Sequence, residues 1–152
     1  MRRALQHDIP TLLSLMADFY AESGYELDQA HAHKAFAALL ADQRLGYIWL
    51  LEDDEKEVGY VVLTLRFGME YGGLTACLDD LFVVPQSRNK GLSTAALQEI
   101  RAFCDAIGVC AITVEVGEGN DPAQRVYRCL GMSEARDRQL LVLPLRHPTH
   151  AV

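Results

Sequence analysis

Apolar residues recur along this chain with two different periods, and the period changes from one segment to the next. Spacings of three and four residues predict helices over 8–22, 28–41, 91–107 and 120–130. Dense runs of Val, Leu, Ile and Tyr predict strands over 47–51, 58–67, 74–84, 110–116 and 139–145, after a first strand that ends at 4–5. This order predicts a mixed α/β fold with a six- or seven-stranded, mostly antiparallel sheet and helices on both faces.

Composition and charge narrow the classes of function. The chain has 152 residues, half of them hydrophobic and 23% charged, which suits one globular domain over 1–152 and excludes a collagen, coiled-coil or disordered chain. Acidic residues outnumber basic ones by 21 to 14, so the formal net charge is −7. A protein that binds the phosphate backbone of nucleic acids usually has an excess of basic residues. We therefore expect no nucleic acid partner and a preference for cations or small neutral ligands.

The sequence offers little sign of a membrane, secreted or metal-binding protein. No run of apolar residues approaches 18, so no membrane-spanning helix is predicted. The pair His31 and His33 would point to different faces of a helix, which argues against a shared metal ion. Four cysteines without a Cys-x-x-Cys pair predict free, buried thiols in a cytoplasmic protein: Cys77, Cys104, Cys110 and Cys129.

Two adjacent aspartates interrupt the apolar strand at 74–84. Strict alternation would place Leu78 and Asp80 on one face and Asp79 on the other. A carboxylate in a buried strand is costly unless it is paired or has a task, and burial would raise its pKa toward the range of a general base. The alternative is that one aspartate bridges structure while the other faces a wet cleft.

A loop with basic residues joins this strand to the helix at 91–107. Backbone N–H groups and the helix dipole at such a junction attract anions, and a glycine allows close approach. A phosphate ester would fit, although the loop is neither a P-loop nor a dinucleotide fingerprint, and an ordinary connecting loop is the alternative. The loop residues at issue are Arg88, Asn89, Lys90, Gly91, Leu92 and Ser93.

The predicted helix at 120–130 carries a third cluster. Asn120 is a natural N-cap, and it shares one helical face with Ala123, Tyr127 and Gly131. A phenol held at a cleft can donate a proton. The alternative is that Tyr127 is a core tyrosine with a satisfied hydroxyl.

Taken together, these three stretches resemble the GNAT superfamily of N-acetyltransferases. The strand at 79–85 is similar to the family's central strand, and Arg88-x-x-Gly91-x-Ser93 resembles its acetyl-CoA loop. The spacing of Asn120, Ala123, Tyr127 and Gly131 resembles its C-terminal signature. Ser93 stands where the family usually has Gly or Ala, which implies tighter packing around the phosphates.

The resemblance implies a role for each cluster, with acetyl-CoA as cosubstrate and no metal. The backbone N–H groups of residues 88–93 would hold the pyrophosphate, and Asn120 would meet the pantetheine arm or a bridging water. Tyr127 would protonate the departing thiolate, while Asp79, with Asp80 as the next candidate, would face the amine. The backbone of three residues would pair with pantetheine and polarise the thioester carbonyl: Leu81, Phe82 and Val83.

The resemblance also implies direct attack by a primary amine in a ternary complex, and homodimers are common in the family. A cationic amine would suit the acids and tyrosines between the first two helices and in the later turn, unless these are simply surface residues: Glu22, Tyr25, Glu26, Asp28 and Tyr71. Two alternatives stay open, namely a non-catalytic acyl-CoA-binding sensor or scaffold, and an acetyltransferase that acts on a protein N-terminus or lysine.

Overall fold

A computed structural model describes residues 1–117, 119–135, 140–143 and 145. These ranges contain four α-helices and five strands, and no helix within them is long and apolar enough to cross a membrane. The helices are α1 (Ile9–Ser23), α2 (Gln29–Ala41), α3 (Leu92–Ala106) and α4 (Asp121–Cys129). The strands are β1 (Arg2–Arg3), β2 (Gly46–Asp53), β3 (Lys56–Gly68), β4 (Gly73–Val83) and β5 (Ala111–Val114).

The strands form one mixed sheet in the order β1-β2-β3-β4-β5. Neighbours from β1 to β4 run antiparallel, and β5 runs parallel to β4. Strand β4 therefore lies between two partners, as its continuous apolar sequence predicts. The mixed α/β class is confirmed, whereas the described sheet has five strands rather than six or seven.

The strand predicted over 139–145 accounts for part of this difference. Residues 139 and 144 lie outside the described residues, and residues 140–143 and 145 are exposed and belong to no strand. A run of apolar side chains forms a strand only if another strand supplies the hydrogen bonds of the ladder. No such partner pairs with these residues in the described part of the chain.

Apolar side chains fill both faces of the sheet, which confirms the predicted layers. One cluster packs β2, β3 and the end of β4 against α1 and α2, with Leu12, Phe36 and Tyr60 nearly inaccessible to solvent. The other packs the opposite face against α3 and α4, around Leu63 and Ile100. Burial of two such faces supplies the main driving force for folding.

A β-bulge in β4 overturns the predicted alternation around the aspartates. Asp80 lies opposite Val62, but the next pair toward the start of β4 joins Leu63 to Leu78, so Asp79 has no opposite residue. One extra residue resets the period of two. As a result, Leu78 faces the α3 side, with Ala76, whereas Phe82 packs on the α1 side.

The cysteines are only partly buried, contrary to the prediction that all four are core residues. Cys104 is buried and Cys77 is half-buried, whereas Cys110 and Cys129 are exposed. Cys110 precedes β5 and Cys129 ends α4, and neither end is covered by the described residues. All four thiols are free.

An ion pair fastens the N-terminal strand to the turn before α1. Two nitrogens of Arg2 each lie 2.8 Å from the carboxylate oxygens of Asp8, and the backbone N–H of Leu5 donates to the same carboxylate at 2.8 Å. Only 6% of the Asp8 side chain is exposed. These contacts, chiefly the hydrogen bonds from Arg2, lower the pKa of Asp8 to about 2.

We expect Asp8→Asn to lower the free energy of unfolding by about 2 kcal/mol, because Arg2 loses its hydrogen bonds to a buried carboxylate but keeps Glu52 and Glu57. A carboxyl whose folded pKa is depressed stabilises the fold above its unfolded pKa, near 4, and loses that contribution as the pH falls toward 2. Urea titrations at pH 7 and at pH 3 should therefore show a smaller difference between variant and parent at the lower pH.

Asp42→Asn is the matched control, because Asp42 pairs with Arg44 at 2.7 Å while 90% of the Arg44 side chain is exposed. An exposed pair of this kind contributes little. Equal effects of the two substitutions on the free energy of unfolding would show that the Arg2–Asp8 pair stabilises the fold no more than an exposed pair does.

Candidate active site

Strand β4 extends past the end of β5, and this leaves a cleft beside its unpaired edge. Their ladder runs from Thr75 with Ala111 to Leu78 with Val114 and ends there, but β4 continues to Val83. On the β5 side, the last residues of β4 therefore have no strand partner among the described residues. Unpaired backbone N–H and C=O groups at such an edge can bind an extended ligand as an added strand.

A cavity of about 810 Å³ occupies this cleft and brings together the end of β4, the loop at 88–93 and helix α4. The cavity is lined by the predicted general acid, Tyr127, and by most of the predicted cofactor-binding residues: Leu81, Phe82, Val83, Arg88, Asn89, Gly91, Leu92, Ser93 and Asn120. Lys90, Asp79 and Asp80 do not line it, and the predicted acceptor residues other than Glu22 do not either.

The start of α3 presents backbone N–H groups to this cavity. Gly91 is the N-cap with a φ of 80°, and Asn89 has a φ of 61°. No side chain caps the helix, and the first bond of the turn runs from the Ala95 N–H to the Gly91 carbonyl. The N–H groups of Leu92 and Ser93 are thus left for another acceptor, with the positive end of the helix dipole behind them.

The two basic residues of the loop are already paired with carboxylates. Arg88 contacts Glu22 of α1 at 2.8 Å through Nη1 and donates from Nε to the Val83 carbonyl at 2.8 Å. Lys90 lies 2.6 Å from Asp53 at the end of β2. Each ion pair lowers the pKa of its carboxyl group. The loop is therefore less positive than its sequence suggests, and its backbone supplies the uncommitted donors.

Helix α4 supplies the opposite wall of the cavity. The Asn120 side chain accepts a hydrogen bond from the Ala123 N–H at 3.2 Å, so Asn120 caps the helix as predicted. Tyr127 is half-buried and lines the cavity. Burial, with a smaller contribution from Asp80, raises the pKa of Tyr127 above its usual value near 10. The phenol consequently keeps its proton at neutral pH.

The two aspartates of β4 occupy different environments. Asp80 is half-buried on the α1 side, where the Tyr60 hydroxyl donates a hydrogen bond to its Oδ2 at 3.0 Å. Burial, opposed by that hydrogen bond, raises the pKa of Asp80 to about 6. Asp79 lies in the bulge and is more exposed, although partial desolvation raises its pKa as well. A general base needs a pKa near the working pH, and Asp80 meets this requirement better.

The five predicted acceptor residues do not form one cluster. Glu22 pairs with Arg88 at the cavity, and the Asp28 carboxylate caps α2 by accepting from the His31 N–H at 3.0 Å. Tyr25 lies near α1, its ring 6.4 Å from that of Tyr20, and Glu26 follows it as an exposed residue. Tyr71 lies in the exposed turn between β3 and β4. Their roles toward an acceptor stay predictions.

The sequence did not predict several residues of the site. Tyr60 belongs to an apolar strand, and nothing in its local pattern distinguishes it from a core tyrosine. Tyr20 lies close enough to Asp80 for the carboxylate to raise the pKa of its hydroxyl, though burial is the larger cause. Arg125 lines the cavity from α4. Its position two residues from Tyr127 was the one available signal.

Comparison with known proteins identifies the family. The family model of the acetyltransferase (GNAT) family matches residues 10–132. No match is found among curated proteins. Integron cassette protein HFX_CASS3, from the mobile metagenome of Cole Harbour Salt Marsh, is 44% identical; the match covers 97% of this chain and 91% of that one with a TM-score of 0.88.

More distant structures share the fold. A predicted acetyltransferase of Clostridium acetobutylicum, solved with acetyl-CoA, is 19% identical with a TM-score of 0.78 over 97% of each chain. An aminoglycoside acetyltransferase from an uncultured soil metagenomic sample, in complex with trehalose, is 19% identical with a TM-score of 0.75 over 95% of each chain. The family model covers most of the chain, including the strand, loop and helix stretches that carry the resemblance, and the chain therefore belongs to the GNAT family of acetyltransferases.

Proposed function

We propose that the protein transfers an acetyl group from acetyl-CoA to a primary amine by direct attack in a ternary complex. The observation that carries this proposal is the single cavity formed by the open edge of β4, the uncapped start of α3 and Tyr127 of α4. A strand edge suits an extended amide-containing chain, and a helix N-terminus suits a phosphate. Acetyl-CoA combines both chemical features in one molecule.

The cavity offers donors for each part of the cosubstrate. The N–H groups of residues 91–93 would hold the pyrophosphate, and the backbone of residues 81–83 would pair with the pantetheine arm. An N–H group of that edge would also polarise the thioester carbonyl. The Clostridium acetobutylicum structure, which was solved with acetyl-CoA, supports this assignment at the level of the fold.

The acceptor amine must lose a proton before it can attack. An alkyl amine has a pKa near 10 and is mostly protonated at pH 7. Asp80 would take one proton, directly or through a water molecule, because its pKa of about 6 leaves it ionised at pH 7. The neutral nitrogen then forms a bond to the acetyl carbon as the carbon–sulfur bond breaks, and Tyr127 gives a proton to the departing thiolate. The nitrogen loses its second proton as the amide forms, and an equivalent proton returns to Tyr127 through solvent.

The composition of the acceptor side favours a cationic small molecule or peptide amine. The protein is acidic overall, with a net charge of −7, and two carboxylates with raised pKa values lie side by side in β4. Carboxylates and tyrosine faces attract ammonium groups. A polyamine or an aminoglycoside-like amine satisfies this chemistry, and so does a basic peptide.

A panel of amines and peptides would test the proposal. The protein, acetyl-CoA and each candidate acceptor are mixed, and free thiol is followed as it is released. We expect release that depends on acceptor and rises from pH 6 to pH 8. Tight acetyl-CoA binding without thiol release for any acceptor would favour the alternative of a non-catalytic acyl-CoA sensor. Release only with peptides would favour a protein acetyltransferase.

Asp80→Asn should remove the acid limb of the pH–rate profile. The Asp80 carboxylate has a pKa of about 6 in the folded protein, so it is ionised and supports activity above that pH. As the pH falls below 6 the carboxylate is protonated and the activity that depends on it is lost. We expect kcat/KM at pH 7 to fall about tenfold, because the adjacent Asp79 can still take the proton through water. Initial rates between pH 5 and pH 9 give the measurement.

Asp79→Asn is the matched control for this substitution. The charge of Asp79 contributes to the raised pKa of Asp80, so its removal should move the acid limb to slightly lower pH and leave its shape unchanged. A limb that survives in Asp80→Asn but disappears in Asp79→Asn would exchange the two roles. A limb that survives in both variants would exclude both aspartates as the base.

A further inference from the structure

Tyr60 is held in one position by its packing. Its side chain is completely inaccessible to solvent. The ring lies 6.2 Å from that of Phe36 on α2 and 6.3 Å from that of Phe82 on β4. Both of these neighbours are themselves buried. A ring fixed from both sides cannot move its hydroxyl to another partner without opening the core.

The strand register directs this hydroxyl to Asp80. Tyr60 lies opposite Phe82 and Val62 lies opposite Asp80, so Tyr60 and Asp80 are diagonal neighbours across β3 and β4. Diagonal pairs come within reach of each other when one side chain is aromatic. The resulting hydrogen bond, 3.0 Å long, is the only side-chain hydrogen bond of Tyr60 or Asp80 within the described part of the chain.

We propose that Tyr60 is a positioning residue for the base of the acetyl-transfer reaction: it fixes the Asp80 carboxylate by holding Oδ2 and leaves Oδ1 free for the acceptor amine or a water. This inference rests on the proposed function and deepens it. A buried hydroxyl without a partner is costly, so any rotation of Asp80 away from Tyr60 is opposed. The base is thereby oriented before the acceptor arrives.

Asp79, Tyr20 and Tyr127 are the other titratable groups whose electrostatics are coupled to Asp80. Asp79 precedes it in the bulge and repels its negative charge. Burial, and to a smaller extent the negative charge of Asp80, raises the pKa values of Tyr20 on α1 and Tyr127 on α4, whereas Tyr60 donates a hydrogen bond to the carboxylate. The Tyr60 hydrogen bond opposes the effects of burial and of Asp79, because it stabilises the ionised carboxylate.

Tyr60→Phe tests this role, because it deletes the hydroxyl and keeps the ring. Without the hydrogen bond the pKa of Asp80 should rise by about one unit, so the acid limb of kcat/KM should move to higher pH by the same amount. At pH 6 we expect about fivefold lower kcat/KM, because the ionised fraction of Asp80 falls from about one half to about one eleventh, with activity near that of the parent at pH 9. A purely structural loss would lower kcat/KM equally at every pH and would overturn the proposal.

Tyr47→Phe provides the control, because Tyr47 lies in the same sheet but contacts Trp49 and Phe103 instead of the cleft. Tyr47→Phe should leave the acid limb of the kcat/KM profile at the same pH as in the parent. Far-ultraviolet circular dichroism and a thermal melt establish that both variants are folded.

A second measurement does not depend on catalysis or on the Tyr60→Phe variant. In the unsubstituted protein with ¹³C-labelled Asp and Tyr, the Asp80 carboxyl carbon and the Tyr60 Cζ carbon should titrate with the same midpoint. Independent midpoints, or a Tyr60 signal that does not respond, would overturn the inference even if acetyl transfer is established. Shared titration without acetylation of any amine would reject the proposed function and leave the Tyr60–Asp80 coupling intact.

Discussion

Gly91→Val should weaken acetyl-CoA binding by at least about 100-fold, because it disturbs the several charge-assisted hydrogen bonds that the start of α3 offers to a pyrophosphate. Gly91 has a φ of 80°, a backbone conformation that a β-branched residue rarely adopts. The loop must therefore change its backbone angles or hold a strained valine, and in either case its N–H groups no longer converge on one point. Isothermal titration calorimetry with acetyl-CoA measures the loss.

Gly108→Val separates this effect from simple strain. Gly108 lies beyond the other end of α3 with a φ of 76°, and at both glycines an added Cβ would meet no atom within 4 Å. The two substitutions therefore impose similar conformational strain, but only Gly91 lines the cavity. We expect similar losses of thermal stability and unchanged acetyl-CoA binding in Gly108→Val. Retained binding in Gly91→Val would refute the assignment of the phosphate loop.

The parts of the fold that depend on local sequence were predictable. Amphipathic spacing identified all four helices, and the N-cap role of Asn120 follows from its short polar side chain. Part of the cavity was predictable as well, because the end of β4, the loop and the start of α3 follow one another in sequence. Helix α4 lies beyond α3 and β5 in the chain, so only the resemblance to the family placed it at the same cavity.

Features that depend on register were not predictable. The bulge at Asp79 arises from the pairing of β3 with β4, and no property of residues 79–80 alone reveals it. That bulge moved Leu78 to the α3 face and set Asp80 beside Tyr60. A shift by one residue exchanges the two faces of a strand. The environments of the two aspartates could therefore be assigned only from the pairing of β3 with β4 in the structure.

The ion pairs at the cavity show a second limit of the sequence. Arg88 and Lys90 read as free positive charges, but Glu22 and Asp53 lie 66 and 37 residues away and neutralise them. This pairing changes how the loop would bind an anion. Phosphate oxygens would have to share or displace the carboxylate of Glu22, and the backbone N–H groups then supply the donors that require no rearrangement.

Tyr127→Phe should lower kcat by about 10²-fold or more, as expected for the loss of a general acid, while acetyl-CoA binding changes little. Burial keeps the pKa of Tyr127 above 10, so the phenol stays protonated until negative charge develops on the departing sulfur. A hydrogen bond that strengthens only at that moment favours the transition state over the bound cosubstrate. Single-turnover thiol release and calorimetric acetyl-CoA binding together provide the measurement.

The comparison with Tyr47→Phe shows whether any loss is specific to the cleft, since both substitutions delete a hydroxyl from a half-buried tyrosine. Because the raised pKa keeps Tyr127 protonated, the deficit of Tyr127→Phe should be constant from pH 6 to pH 9, unlike that of Tyr60→Phe. Unchanged turnover would exclude Tyr127 as the acid. A parallel loss of turnover and of acetyl-CoA binding would instead mean that the tyrosine packs against the cosubstrate and leaves protonation of the thiolate to solvent.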